Sequence, residues 1–150
     1  MQTHDIGFRA IFVFVIIELS SRRVVHMSVT RHPTQLWVAQ QLRDATPFGQ
    51  APRFLIRDND AKYGASFDAV AAGVGVKVLR TPLGAPTANA HCERFQGSLR
   101  RECLDHLIIL GERHLREQAK AYVAYFNHAR PHQGIAQQIP IPSQSADPPA

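Results

Sequence analysis

The chain is short of cysteine, of long apolar runs and of metal-binding histidine motifs, and each shortage removes a class of protein from consideration. Its two cysteines, Cys92 and Cys103, lie in a stretch with helical spacing. They form neither a CxxC metal pair nor a disulfide framework, so the fold has to rest on its core, in a reducing compartment. The longest apolar run, Ala10 to Ile17, falls far below the ~20 residues that cross a bilayer. The start also lacks a basic-then-apolar leader, and the chain reads as soluble, cytoplasmic and without a membrane partner. No HExxH motif occurs. His26, His32, His91, His106, His114, His128 and His132 are scattered without zinc-ligand spacing, which assigns them surface, capping or packing roles, with His132 packed on the core. There is no internal repeat.

What is present is enough for one domain. Of 150 residues, 45% are hydrophobic, which suffices for a real core. Lys and Arg outnumber Asp and Glu 17 to 12 and the pI is near 9.8, which points to an anionic partner such as nucleic acid. Ile11 to Ile17 is a continuous β-branched and aromatic run, the pattern of a central strand buried on both faces. Ser20 to Arg23 turns the chain into a second strand, Val24 to Thr30. A helix is expected over 34–45, started by Pro33 and Thr34 and stopped by Pro47 and Gly49. Strands at 53–57 and 76–80 bracket a small helix at 66–72. After a Pro- and Gly-containing loop at 81–87, helices are expected from Ala88 to about Leu107 and from Glu112 to His128. Trp37, Phe12, Phe14 and Phe126 read as core aromatics. The order describes an α/β domain, a mixed sheet flanked by helices, over 1–135, with a proline-rich, disordered tail or arm over 136–150.

Two acids stand out against this frame. Asp58 follows the apolar run Phe54-Leu55-Ile56, and Glu93 sits in the polar-to-helical stretch Asn89 to Arg94. Taken singly, Asp58 opens a turn and Glu93 is a solvated helix residue. Taken together, an acid at a strand end and one on a helix are the oxygen donors that divalent-metal phosphoryl transfer needs. Asn89, Glu93, Gly97 and Arg100 share one helix face, with Gln96 and Arg101 alongside, and Phe95, Leu99, Cys103 and Leu107 form the opposing apolar stripe. That polar face suits a phosphate backbone as well as it suits plain solvent.

The flanking residues carry a resemblance. Phe8 to His26 resembles the second and third strands of bacterial insertion-sequence transposases with an integrase catalytic core. Phe54-Leu55-Ile56-Arg57-Asp58-Asn59-Asp60 resembles the strand bearing their second catalytic Asp, and Asn89-Ala90-His91-Cys92-Glu93-Arg94-Phe95 the helix bearing their Glu. Tyr125 to Gln133 is similar to the family's closing Tyr-Asn-x-x-Arg-Pro-His stretch. Several motifs in order, over roughly residues 8 to 135, make the likeness to DDE transposases and retroviral-type integrases specific.

The resemblance implies a ribonuclease-H-like fold and DNA strand cleavage and transfer with Mg²⁺ or Mn²⁺, by a core that works as a homo-oligomer. Two ions held by Asp, Asp and Glu activate water to nick an element's end, and the freed 3′ hydroxyl attacks target DNA. Carried over, Asp58 and Glu93 bind metal, Asn89 touches DNA near them, and Arg94, Arg100 and Arg101 bind DNA. By the spacing of retroviral-type cores the first acid is Asp5. By that of the transposases it falls ahead of Met1, so that the first strand is missing and Asp5 is a turn residue in a frayed terminus. The usual aromatic and Gln are absent before Asn89, and so is the helix-turn-helix region that recognises element ends. The alternative is a catalytically inactive, truncated remnant with residual nucleic-acid binding.

Overall fold

A computed structural model describes residues 1–81 and 89–142. Its strands are β1 (Gln2–His4), β2 (Ala10–Ile17), β3 (Val24–Thr30), β4 (Phe54–Arg57) and β5 (Lys77–Arg80). Its helices are α1 (Gln35–Ala45), α2 (Ala65–Gly73), α3 (Ala90–Glu102) and α4 (Glu112–His128). The loop expected at 81–87 and the end of the tail, 143–150, fall almost wholly outside the described residues.

The apolar run of β2 organises the molecule. Its odd-numbered side chains, Ile11, Val13, Val15 and Ile17, join a core with Phe95 and Leu99 of α3 and Leu115, Tyr122 and Phe126 of α4. Phe14 and Ile16 turn to the other face and join Val38, Ala39 and Leu42 of α1 with Phe67, Val70 and Ala71 of α2. Period-two alternation thus feeds two cores from one strand, and this is why no position on it is polar. The architecture is α/β with a helix pair on each face. Phe12 departs from the core reading: it is only half-buried and faces a cleft, with the Lys62 ammonium 4.9 Å from its ring centre.

The N-terminal end corrects the expectation of a missing first strand and a frayed terminus. β1 pairs antiparallel with β2, Gln2 opposite Phe12 and His4 opposite Ala10. Met1 extends the ladder by exchanging backbone hydrogen bonds with Val13, at 2.8 and 2.9 Å. The mixed sheet is divided. β1-β2-β3 is antiparallel, β4-β5 is parallel, and among the described residues no backbone ladder joins the two. A cleft of about 910 Å³ runs between the edges of β2 and β4. Because β1 spans three residues and pairs only with the start of β2, the rest of that edge faces the cleft.

Local chemistry sets the helix ends. Thr34 caps α1, its hydroxyl accepting the Trp37 N–H at 3.2 Å. α3 stops at Glu102 rather than near Leu107, because Cys103 leaves helical geometry (φ −132°, ψ −65°) and Leu104–His106 continues as a 3₁₀ turn.

The closing Tyr-Phe-Asn-His-Ala-Arg-Pro-His stretch is a set of structural clamps. Asn127, buried on α4, accepts the Val24 N–H at 2.9 Å and donates to the Val24 carbonyl at 3.0 Å, so its amide acts as one more strand residue against β3. Arg130 makes a forked pair with Glu102, 2.7 Å at its closest, and the Tyr122 hydroxyl donates to the same carboxylate at 2.8 Å. His132 packs on Phe126 with ring centres 4.2 Å apart, as the sequence reading expects. Residues 136–142, assigned by composition to the tail, are tied back instead: Gln137 N–H donates to the His132 carbonyl and Ile141 N–H to that of Asn127.

Replacing Asn127 by Ala would strand both buried backbone groups of Val24. At about 1–3 kcal/mol for an unsatisfied buried group, the Asn127→Ala chain should lose roughly 2–4 kcal/mol in urea unfolding, with an unchanged slope against denaturant. An unchanged midpoint would mean that the clamp contributes nothing.

Candidate functional site

Asp58 stands one residue beyond β4, where the strand edge opens into the cleft. Three contacts fix its backbone and side chain. Arg57 donates to its carbonyl at 2.9 Å, its own Oδ1 accepts the Asp60 N–H at 3.2 Å, and neighbouring Asn59 donates from Nδ2 to the Thr81 carbonyl at 3.0 Å. The Asp58 carboxylate therefore closes an Asx turn and remains half-buried at the cleft.

Glu93 lies in the first turn of α3 and is exposed. The preceding Cys92 lines the cleft together with Asp58, Asn89 and His91. Burial first, then the negative charge of Asp58, with a smaller contribution from Glu93 and against the N-terminal ammonium, pushes the Cys92 thiol up to about 11, so it stays protonated at neutral pH. Tyr63, beneath the same turn, is likewise raised, first by burial and then by Asp58.

Asp58, Asn89 and Cys92 line the cleft, whereas Glu93, the residue after Cys92, is exposed and is not among the lining residues. The structure also brings to the cleft residues that the sequence reading did not single out. Asp60 lines the cleft and is held below its ordinary value, chiefly by the Lys62 N–H at 2.9 Å, with the Lys62 ammonium 3.3 Å from its other oxygen. The alternation Asp58-Asn59-Asp60 was the available signal, because acids two apart in a turn can face the same space.

Asp5 is placed elsewhere. It follows β1 and does not line the cleft. It lies four residues beyond Met1, about 13 Å along an extended strand. Its side chain is 0% exposed and meets Arg31 at 2.6 Å and Arg9 at 3.1 Å. The N–H groups of Gly7 and Arg9 donate to its Oδ1 at 2.9 and 3.0 Å. Both oxygens are committed, and Asp5 is a buried staple between the β1–β2 turn and the end of β3 rather than a third acid at the cleft or a frayed turn residue.

The arginines divide by position. Arg94 and Arg101 are exposed on α3, and Arg101 lies over Gly97, where a Cβ would stand 3.0 Å from its Nη1. Arg100 is exposed as well and reaches the Gln2 carbonyl at 3.2 Å, so it ties α3 to β1. On the opposite face Phe95 and Leu99 are buried, while Cys103 and Leu107, past the helix end, pack against the same core.

An integrase core domain family model matches residues 74–140. The chain is 28% identical over 139 residues to the insertion element IS476 uncharacterized 39.2 kDa protein of Xanthomonas euvesicatoria, with 92% of this chain and 40% of that protein covered. It is 27% identical over 128 residues to the insertion element IS407 uncharacterized 31.7 kDa protein of Burkholderia multivorans, with 85% and 46% covered. The chain therefore spans less than half the length of these curated relatives. Among solved structures it is similar to the catalytic core domain of BIV integrase (TM-score 0.63, 19% identity, 93% of this chain and 87% of that one). It is also similar to the HTLV-2 integrase catalytic core domain in complex with magnesium, in a trimeric form (TM-score 0.67, 14% identity, 93% and 89%). A third likeness is to the simian T-cell lymphotropic virus intasome in complex with the PP2A regulatory subunit B56 gamma (TM-score 0.77, 15% identity, 100% and 55%). At these identities the structures speak for the fold.

The Arg31 guanidinium, followed by the Arg9 N–H, holds the Asp5 carboxyl well below the usual carboxylate range. A depressed folded-state value stabilises fully above the unfolded value, about pH 4, and the contribution is lost as pH falls through the depressed value. The melting temperature of Asp5→Asn should lie below that of the wild type at pH 7, and the two should converge as pH falls below about 4. Parallel curves across that window would exclude the staple.

Proposed function

We propose that the chain, which matches an integrase core domain model over residues 74–140 and is similar to insertion-element proteins, serves DNA transposition in the cytoplasm as a strand-cleavage and strand-transfer centre. The observation that supports this reading is that Asp58 and Cys92 line the same cleft, with Glu93 the residue after Cys92 in the first turn of α3.

Among the described residues no group of three or more His, Cys, Asp or Glu side chains converges. Two carboxylates nevertheless fit one Mg²⁺ or Mn²⁺, because such ions are commonly held by one or two carboxylates and complete their shell with water and substrate phosphate oxygens. When bound, the ion would neutralise phosphate charge and lower the pKa of an attacking water. Asp58, fixed by its Asx turn, would hold the ion from the strand side and Glu93 from the helix side. Asn89 would orient the DNA beside them, and Arg94, Arg100 and Arg101 would hold phosphates along α3. The trimeric form of the HTLV-2 core and the simian virus intasome support action as a homo-oligomer on DNA.

A second reading, a core that holds DNA without cutting it, is favoured by the commitment of Asp5 to Arg9 and Arg31, which leaves two family acids. One experiment separates the two. With Mn²⁺ and supercoiled plasmid, the cleavage reading expects nicking by the wild type and a loss in Asp58→Asn and Glu93→Gln of more than about a hundredfold, beyond what outer-shell partners usually cost. A wild type no faster than the double variant establishes the second reading. Under either reading, log affinity for duplex DNA should fall with log salt, and replacing Arg94, Arg100 and Arg101 together by Ala should flatten that slope by about 2.7. An unaltered slope would remove α3 from the DNA interface.

A further inference from the structure

Asp68 lies outside the cleft, in the first turn of α2, yet its carboxylate joins the ends of β4 and β5 beside Asp58. One oxygen meets Arg57 Nη2 at 3.2 Å and the other meets Arg80 Nη2 at 2.6 Å. Arg57 is buried at the end of β4, its side chain 4% exposed, with its guanidinium 5.0 Å from the Tyr63 ring centre and 5.7 Å from that of Phe67. From that slot its Nη1 donates to the Asp58 carbonyl at 2.9 Å. Arg80 ends β5 and Thr81 follows it. Thr81 is bound on both sides: its N–H donates to the Arg57 carbonyl at 2.9 Å and its carbonyl accepts from Asn59 at 3.0 Å.

A buried guanidinium whose Nε finds no acceptor is a costly group to keep beside the site. An apolar side chain would fill the space between Tyr63 and Phe67 without that cost. What the arginine adds is direction, since one planar group reaches a carboxylate on α2 and a carbonyl at Asp58 together. Partial burial raises the Asp68 carboxyl and the two guanidiniums more than offset it, so the charge that holds both arginines persists at neutral pH.

We propose that Asp68 is a positioning residue: through Arg57 and Arg80 it locks the Asp58 turn to the end of β5, and so fixes where the Asp58 carboxylate stands. The proposal rests on the reading of Asp58 as a cation ligand, and its test has a readout that does not.

The test measures Mn²⁺ affinity by calorimetry and amide exchange by NMR in the intact chain, for the wild type, Asp68→Asn, Asp68→Glu and Asp58→Asn. Asp68→Asn should weaken Mn²⁺ binding about tenfold, as loss of an outer-shell partner does. It should also speed exchange at the Asp60 and Thr81 amides, which report the Asp58 turn and the β5 exit, while the amides of α4 stay protected. Asp68→Glu, which keeps the charge, should recover most of both. Unchanged Mn²⁺ affinity and exchange in Asp68→Asn would overturn the proposal, as would an equal loss of protection throughout α4, which marks a general fold defect. If Asp58→Asn leaves Mn²⁺ affinity as in the wild type, the cation reading fails. Exchange at Asp60 and Thr81 then decides by itself whether Asp68 holds the turn.

Discussion

Burial of β2 on both faces is the constraint from which the rest follows. A strand that presents apolar side chains to two cores needs a helix layer on each side, and α1 with α2 and α3 with α4 supply them. Those layers in turn fix where β4 and α3 can run, because Phe67 and Val70 draw α2 and the neighbouring β5 to one face while Phe95 and Leu99 anchor α3 on the other. Asp58 and Glu93 ride on these anchored elements. The clamps from Asn127, Glu102 and Arg130 hold α4 against β3 and α3.

How much of this was legible in the sequence depends on the range of the interaction. β2, β3, α1 and α4 are recovered almost to the residue because each has a strong local period. The end of α3 was misplaced by five residues, Glu102 against Leu107, because Leu104 and Leu107 continue an apolar stripe after Cys103 has left the helix. β1 escaped detection because a three-residue Gln-Thr-His strand has no period to read and owes its form to the partner strand. The segment 136–142 was misjudged for a related reason: composition reports solvent preference, whereas Gln137 and Ile141 are held by backbone acceptors of His132 and Asn127.

Residue type and strand-end position singled out Asp58 and Glu93 as the proposed site, and Asp5 shows the limit of spacing as an argument. An acid at a plausible offset was available, and only the two guanidiniums that enclose it reveal what its charge is for. Arg57 and Asp68 were invisible for the opposite reason. A charged residue at a strand end and another on a short helix look like surface groups until the fold closes them on each other.

The cleft sets unlike demands on its acids. Asp60 has a cation of its own, Lys62, and Asp68 has two, whereas Asp58 spends its hydrogen-bonding capacity on the Asp60 N–H and Glu93 projects into solvent. Asp58 and the Cys92 thiol, raised chiefly by burial, line the same partly apolar cleft. Asp5 and Asp68 are held by guanidiniums and serve the fold, whereas Asp58 and Glu93, the acids proposed to take a cation, make no ion pair among the described residues.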